Sequence, residues 1–91
     1  MSTEVVNIPD HLDTMTSPNM KVVLTEAVSS ADEIILDFSQ TELVSSAGLR
    51  ILLQAQKSIE KSGKIMKLIK VSPGVMEVFD MTGVAKIFDI E

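Results

Sequence analysis

Residues 33–49 read EIILDFSQTELVSSAGL, and their pattern predicts a strand that leads through a loop into a helix. Glu33 to Phe38 is a short, nearly continuous apolar run rich in branched residues, which is typical of a strand covered on at least one face by helices. Ser39 to Ser45 predicts a loop. From Ala47 to Ser62 the apolar residues recur at helical spacing, and Gly63 is well placed to end that helix.

The same alternation of strand and helix continues on both sides of this stretch. Thr3 to Ile8 predicts a strand, and Ser17 followed by Pro18 predicts a capped helix that ends within Ser29 to Asp32. The remaining signals are a strand over Lys64 to Val71, a second Ser-Pro helix start at Ser72-Pro73, a helix stop at Gly83 and a strand over Ala85 to Ile90. The order βαβαβαβ predicts one α/β domain over residues 1–91, with helices packed against a mainly parallel sheet of about four strands.

Two loops follow predicted strands, where parallel sheets usually place their binding sites. They are Pro9 to Ser17 and Ser39 to Ala47. In the second loop, Ser45 and Ser46 stand directly before a helix. A serine there caps the free N–H groups of the helix start, which requires no special function. The same N–H groups and the helix dipole also favour a phosphate, so phosphorylation of Ser46 is the functional hypothesis.

Composition and charge exclude several classes of function. The 91 residues carry a net charge of −5 and Arg50 is the only arginine, which argues against nucleic-acid binding. There is no cysteine, and the single histidine, His11, offers neither a zinc ligand set nor a hydrolase triad. No run approaches the roughly 18 apolar residues of a membrane span. We therefore expect a cytoplasmic protein that is not an enzyme, does not insert into membranes and holds no metal or cofactor.

The strand-to-helix segment also resembles a known family. Asp37-Phe38-Ser39 through Val44-Ser45-Ser46-Ala47-Gly48-Leu49 is similar to the signature of STAS domains in bacterial anti-sigma factor antagonists. The predicted order of elements agrees with that family. Ser72-Pro73 followed by Val78 to Gly83 resembles its third-helix segment, and the matching pieces span most of Asp13 to Phe88.

The resemblance implies a partner-switching mechanism. In that family the unphosphorylated antagonist binds a GHKL-type anti-sigma kinase and frees the kinase's target. The kinase phosphorylates a serine of the antagonist with ATP, and a PP2C-type phosphatase reverses this step. Carried over by position, Ser46 is the phosphoacceptor and Asp13 matches the family's loop aspartate. The implied partner-binding residues are Asp13, Thr14, Thr16, Val44, Ser45, Ser46, Ala47, Gly48, Leu49 and Arg50.

The chain departs from the family pattern at three points. Ser45 stands where many members have aspartate, which makes Ser45 the alternative acceptor, and Asp10 stands where a glycine is common. The family's first strand and closing helix are not found, so Thr3 to Ile8 is expected at an exposed edge. A second hypothesis within the same family is a constitutive accessory subunit, such as those of lipid-transport ATPases. Ser46 is then only a cap or a contact residue.

Overall fold

The computed structural model describes residues 2–91, in which strands and helices alternate along the chain. Its elements are β1 (Thr3–Asn7), β2 (His11–Leu12), α1 (Ser17–Ser30), β3 (Glu33–Asp37), β4 (Leu43–Val44), α2 (Ser46–Ser62), β5 (Ile65–Ile69), α3 (Pro73–Thr82), a 3₁₀ turn (Val84–Lys86) and β6 (Asp89–Ile90). The main sheet has the order β1-β3-β5-β6, and every pair in it is parallel. The predicted α/β fold with a four-stranded parallel sheet is confirmed.

The helices pack against one face of this sheet. Because the strands follow one another across the sheet in chain order, right-handed crossovers place every connecting helix on the same side. The strand residues buried against these helices are Val6, Ile34, Leu36, Met66 and Leu68. The opposite face carries Val5, which is 54% exposed, and Lys67, whose Nζ lies 3.5 Å from Glu33 and 3.4 Å from Glu91. β1 lies at one edge of the sheet, as predicted.

The ends of two helices follow the predicted signals. The Ser72 hydroxyl caps α3 by accepting a hydrogen bond from the N–H of Val75 at 3.3 Å. Gly63 ends α2 and Gly83 ends α3, both in the left-handed region with φ of +68° and +78°. That conformation favours glycine because it has no Cβ.

Within residues 2–91, no helix is both long enough and apolar enough to cross a bilayer.

The predicted cap at Ser17 is wrong. Ser17 is the first residue of α1, and its hydroxyl is buried without a hydrogen-bond partner among residues 2–91. The chain instead enters α1 through a turn, in which the N–H of Ser17 donates to the carbonyl of Asp13 at 2.8 Å. The Ser-Pro pair therefore marks the start of the helix correctly but misplaces its cap by one residue.

The predicted strand over Ala85 to Ile90 is also largely wrong. The N–H of Ile87 donates to the carbonyl of Val84 at 2.9 Å, which closes the 3₁₀ turn, and β6 retains only two residues. Phe88 is buried with its ring centroid 5.5 Å from that of Phe79 in an edge-on arrangement. The turn brings the Phe88 ring into this aromatic contact before the chain joins the sheet.

Candidate functional site

The loops that follow β1 and β3 are joined by a second, smaller sheet. β2 and β4 pair in parallel, the N–H of Ser45 donates to the carbonyl of Leu12 at 2.9 Å, and the N–H of Leu43 donates to that of Asp10 at 3.1 Å. Both segments were predicted to be loops, because two-residue strands give no periodic signal. The pairing brings the two predicted binding loops side by side at the carboxyl edge of the main sheet.

Gly48, in the first turn of α2, lies directly against Leu12 of β2. A Cβ at this position would lie 2.5 Å from the carbonyl oxygen of Leu12 and 2.8 Å from its Cγ. Any larger residue would therefore clash with β2 at its backbone. Because glycine has no Cβ, the first turn of α2 can pack directly on β2.

The adjacent serines have different positions at the start of α2. Ser45 is the N-cap, and its hydroxyl accepts a hydrogen bond from the N–H of Gly48 at 3.3 Å. Ser46 is the first helical residue, so the interpretation of Ser46 as the cap is wrong. The Ser46 side chain is exposed, and its hydroxyl forms no hydrogen bond with any of residues 2–91. The backbone at Ser45 is extended, which suits a cap and turns the next side chain outward.

Asp13 organises the other loop. One carboxylate oxygen accepts hydrogen bonds from the N–H of Met15 at 2.9 Å and of Thr16 at 3.2 Å. The N–H of Thr16 is the main cause that holds the pKa of Asp13 below its ordinary value, against a smaller opposing effect of desolvation. The Thr16 hydroxyl donates to the carbonyl of His11 at 2.7 Å and accepts from the N–H of Asp13 at 3.0 Å. Both side chains therefore fix the turn that leads into α1.

The other predicted site residues divide by exposure. Thr14 and Arg50 are exposed, and Ala47 is half-buried. The buried members, Val44, Gly48 and Leu49, support the loops from below. Among residues 2–91, no three His, Cys, Asp or Glu side chains converge on a point where a metal ion could bind.

Two exposed apolar residues beside the site were missed by the sequence analysis. Met15, between the predicted contact residues, has a side chain that is 86% exposed, and Leu43 on β4 is 46% exposed. Large apolar side chains held at the surface are enriched at protein interfaces. An isolated methionine in a polar loop was the available signal, but only the structure shows that it points into solvent.

Comparisons with known proteins agree with this architecture. A family model described as "Mlab, STAS domain" matches residues 2–89. The anti-sigma F factor antagonist of Paenibacillus polymyxa is 30% identical over 88 residues, covering 94% of this chain and 75% of the relative.

Two solved structures share the fold. An anti-sigma-factor antagonist (STAS) domain protein from Planctomyces limnophilus superposes with a TM-score of 0.85 at 20% identity, covering 94% of this chain and 79% of that one. A sulfate transporter family protein from Wolinella succinogenes gives 0.77 at 23% identity, covering 92% and 69%. At these identities both likenesses concern the fold.

Proposed function

This chain belongs to the STAS domain family, and from that premise we propose that it is an anti-sigma factor antagonist switched by phosphorylation of Ser46. It acts by binding and has no catalytic activity of its own. The unphosphorylated form binds a GHKL-type anti-sigma kinase and releases the target of that kinase. The kinase transfers a phosphate from ATP to Ser46, and a PP2C-type phosphatase removes it.

The observation that carries this proposal is the exposed, unbonded hydroxyl of Ser46 at the first position of α2. A kinase must reach its acceptor hydroxyl, and this one is not engaged by any of residues 2–91. The neighbouring Ser45 hydroxyl already satisfies the N–H of Gly48. The geometry thus favours Ser46 over Ser45 as the acceptor. The free N–H groups of the α2 start and its dipole stabilise the added negative charge.

The phosphate would act on the contact surface itself. We assign this surface to Asp13–Thr16 and Val44–Arg50, which lie side by side because β2 pairs with β4. A phosphoserine adds about −1.5 to −2 charges at neutral pH. Placed on the exposed Ser46, it introduces both bulk and charge where the kinase docks. Binding is therefore lost once the antagonist is modified.

The test is phosphorylation of the purified chain by a cognate GHKL kinase with ATP, followed by mass spectrometry. We expect one phosphate on the wild type and on Ser45→Ala, mapped to Ser46, and none on Ser46→Ala. Full incorporation by Ser46→Ala, or a phosphate mapped to Ser45, would show that the acceptor is wrongly assigned. The Ser45→Ala variant is the matched control because it removes a hydroxyl from the adjacent position.

A second candidate function is that of a constitutive accessory subunit without a phosphorylation cycle. It draws support from the family description and from the fold shared with a sulfate transporter family protein. The two candidates differ in the effect of charge at position 46. Switching predicts that Ser46→Asp weakens binding to the partner captured from native cells while Ser46→Ala retains it. Equal affinities by calorimetry, with no phosphate uptake, would favour the accessory role.

A further inference from the structure

A shallow groove of about 400 Å³ extends from Ser46 along the outer surface of α2. The residues that line it are Ser46, Leu49, Arg50, Leu53, Gln54 and Lys57. Its ends, Ser46 and Lys57, are eleven positions apart, which corresponds to about three turns or about 16 Å of helix. The groove therefore begins at the proposed phosphorylation site and continues well beyond the loops assigned to partner contact.

The chemistry of the groove differs from that of the rest of the protein. Leu53 is half-buried and provides the accessible apolar surface, Leu49 beside it is almost fully buried, and Arg50 and Lys57 are exposed. No carboxylate lines the groove, so its formal charge is +2 within a chain whose net charge is −5. Neither cation forms an ion pair with any carboxylate of residues 2–91, where the ion pairs involve Lys67. Both remain available to an incoming group.

We propose that this groove binds an acidic amphipathic helix of the partner protein, an inference that rests on the proposed function. A groove about three turns long, with an apolar centre at Leu53 and exposed cations on either side of it, fits a helix that has an apolar stripe and carboxylates beside it. Leu53 contacts the stripe, while Arg50 and Lys57 pair with the carboxylates. Arg50 offers two parallel hydrogen bonds to a carboxylate, which also orients the bound helix.

The same arrangement explains how one phosphate controls a surface larger than itself. A phosphate on Ser46 brings about −1.5 to −2 charges to the end of the groove, so its net charge falls from +2 to about zero. Arg50, one helical turn beyond Ser46, lies within reach of that phosphate and becomes its counterion. The phosphate thus competes with the partner's carboxylates for the same cation.

The first experiment measures binding of the cognate kinase by calorimetry at low and physiological salt. The variants are Arg50→Glu, Lys57→Glu, both together, and Lys86→Glu, an exposed lysine outside the groove that serves as the charge-matched control. We expect each groove variant to weaken binding about threefold to tenfold, and more at low salt, because exposed pairs are screened by ions. Lys86→Glu should bind like the wild type. Groove variants that match Lys86→Glu would overturn the proposal.

A second experiment separates failure of this inference from failure of the proposed function. If the wild type neither binds a kinase nor accepts phosphate, the proposed function fails, but the groove can still be probed by NMR. The probes are a designed helical peptide of leucine and glutamate and its counterpart with lysine in place of glutamate. We expect saturable shifts at the amides of Leu53, Gln54 and Lys57 with the glutamate peptide only. No shifts there, or equal shifts with both peptides, would refute the groove assignment.

Discussion

The backbone of Gly48 lies so close to Leu12 that a Cβ at position 48 would come within 2.5 Å of the Leu12 carbonyl oxygen. We therefore expect Gly48→Ala to lower the free energy of unfolding by about 1–3 kcal/mol, as overpacking typically does. Chemical denaturation measures this change. The control is Gly74→Ala, since a Cβ there meets nothing within 4 Å. That variant should be neutral or slightly more stable, and equal destabilisation of both would contradict the predicted clash.

Alanine substitutions at the two serines at the start of α2 should differ in their effect on the free energy of unfolding. Ser45→Ala removes the cap acceptor for the N–H of Gly48, so we expect a loss of about 1 kcal/mol in the free energy of unfolding. Ser46→Ala removes a hydroxyl that is exposed and unbonded within the described chain, so its effect should stay within about 0.5 kcal/mol. Urea denaturation of both variants checks the difference. The reverse order of stabilities would mean that Ser46 is the cap.

The Asp13 turn should contribute to acid stability. Because hydrogen bonds, chiefly from the N–H of Thr16, hold the folded pKa of Asp13 below 3.8, its contribution is present above that value. The contribution is lost as the pH falls through the lowered folded pKa. Asp13→Asn should therefore flatten the acid limb of the curve of unfolding free energy against pH. Asp80→Asn, at an exposed position on α3, is the control and should leave the curve unchanged. An unaltered limb in Asp13→Asn would refute this role.

The packing of the turn before β6 should depend more on the buried Phe88 than on the half-exposed Ile87. Phe88 is buried against Phe79, so Phe88→Leu should lower the free energy of unfolding by about 1–2 kcal/mol. Ile87 is 48% exposed, and Ile87→Ala should change it by about 0.5 kcal/mol or less. Thermal unfolding of the two variants provides the measurement. A larger loss in Ile87→Ala would show that the aromatic contact does not hold this turn.

The elements with strong local signals were predictable from the sequence. The apolar runs around Ile34 and Met66, the Ser72 cap and the helix stop at Gly83 depend on nearby residues only, and the structure confirms them. The mainly parallel sheet followed from the alternation of strands and helices, whereas the strand order β1-β3-β5-β6 was not predicted. The family resemblance matched Asp13 and Ser46 to residues of two loops, and the β2–β4 pairing brings those two loops side by side.

What the sequence did not show depends on contacts between distant residues. The β2–β4 pairing joins segments about 30 positions apart, and a two-residue strand leaves no periodicity to detect. Ser17 was wrongly predicted to be the cap of α1. Its Ser-Pro pair does mark the helix start, but the hydrogen bonds of the Asp13 turn determine where the cap lies. Likewise, Ala85 to Ile90 has the composition of a strand, but its first part forms a 3₁₀ turn and Phe88 packs against the Phe79 ring.

The way in which Ser46 is held at the start of α2 bears on how fast a modification of its side chain acts on a partner. Helix α2 begins at Ser45, whose hydroxyl accepts a hydrogen bond from the N–H of Gly48, and Gly48 packs on the backbone of β2. The exposed Ser46 hydroxyl is therefore held by contacts that are already formed. Under the proposed function, a phosphate on Ser46 changes the charge of the surface, and we expect the start of α2 and its packing on β2 to stay in place. We therefore expect phosphorylation of Ser46 to affect binding without a prior rearrangement of the domain. The rate of the signal would then be set by the proposed kinase and phosphatase.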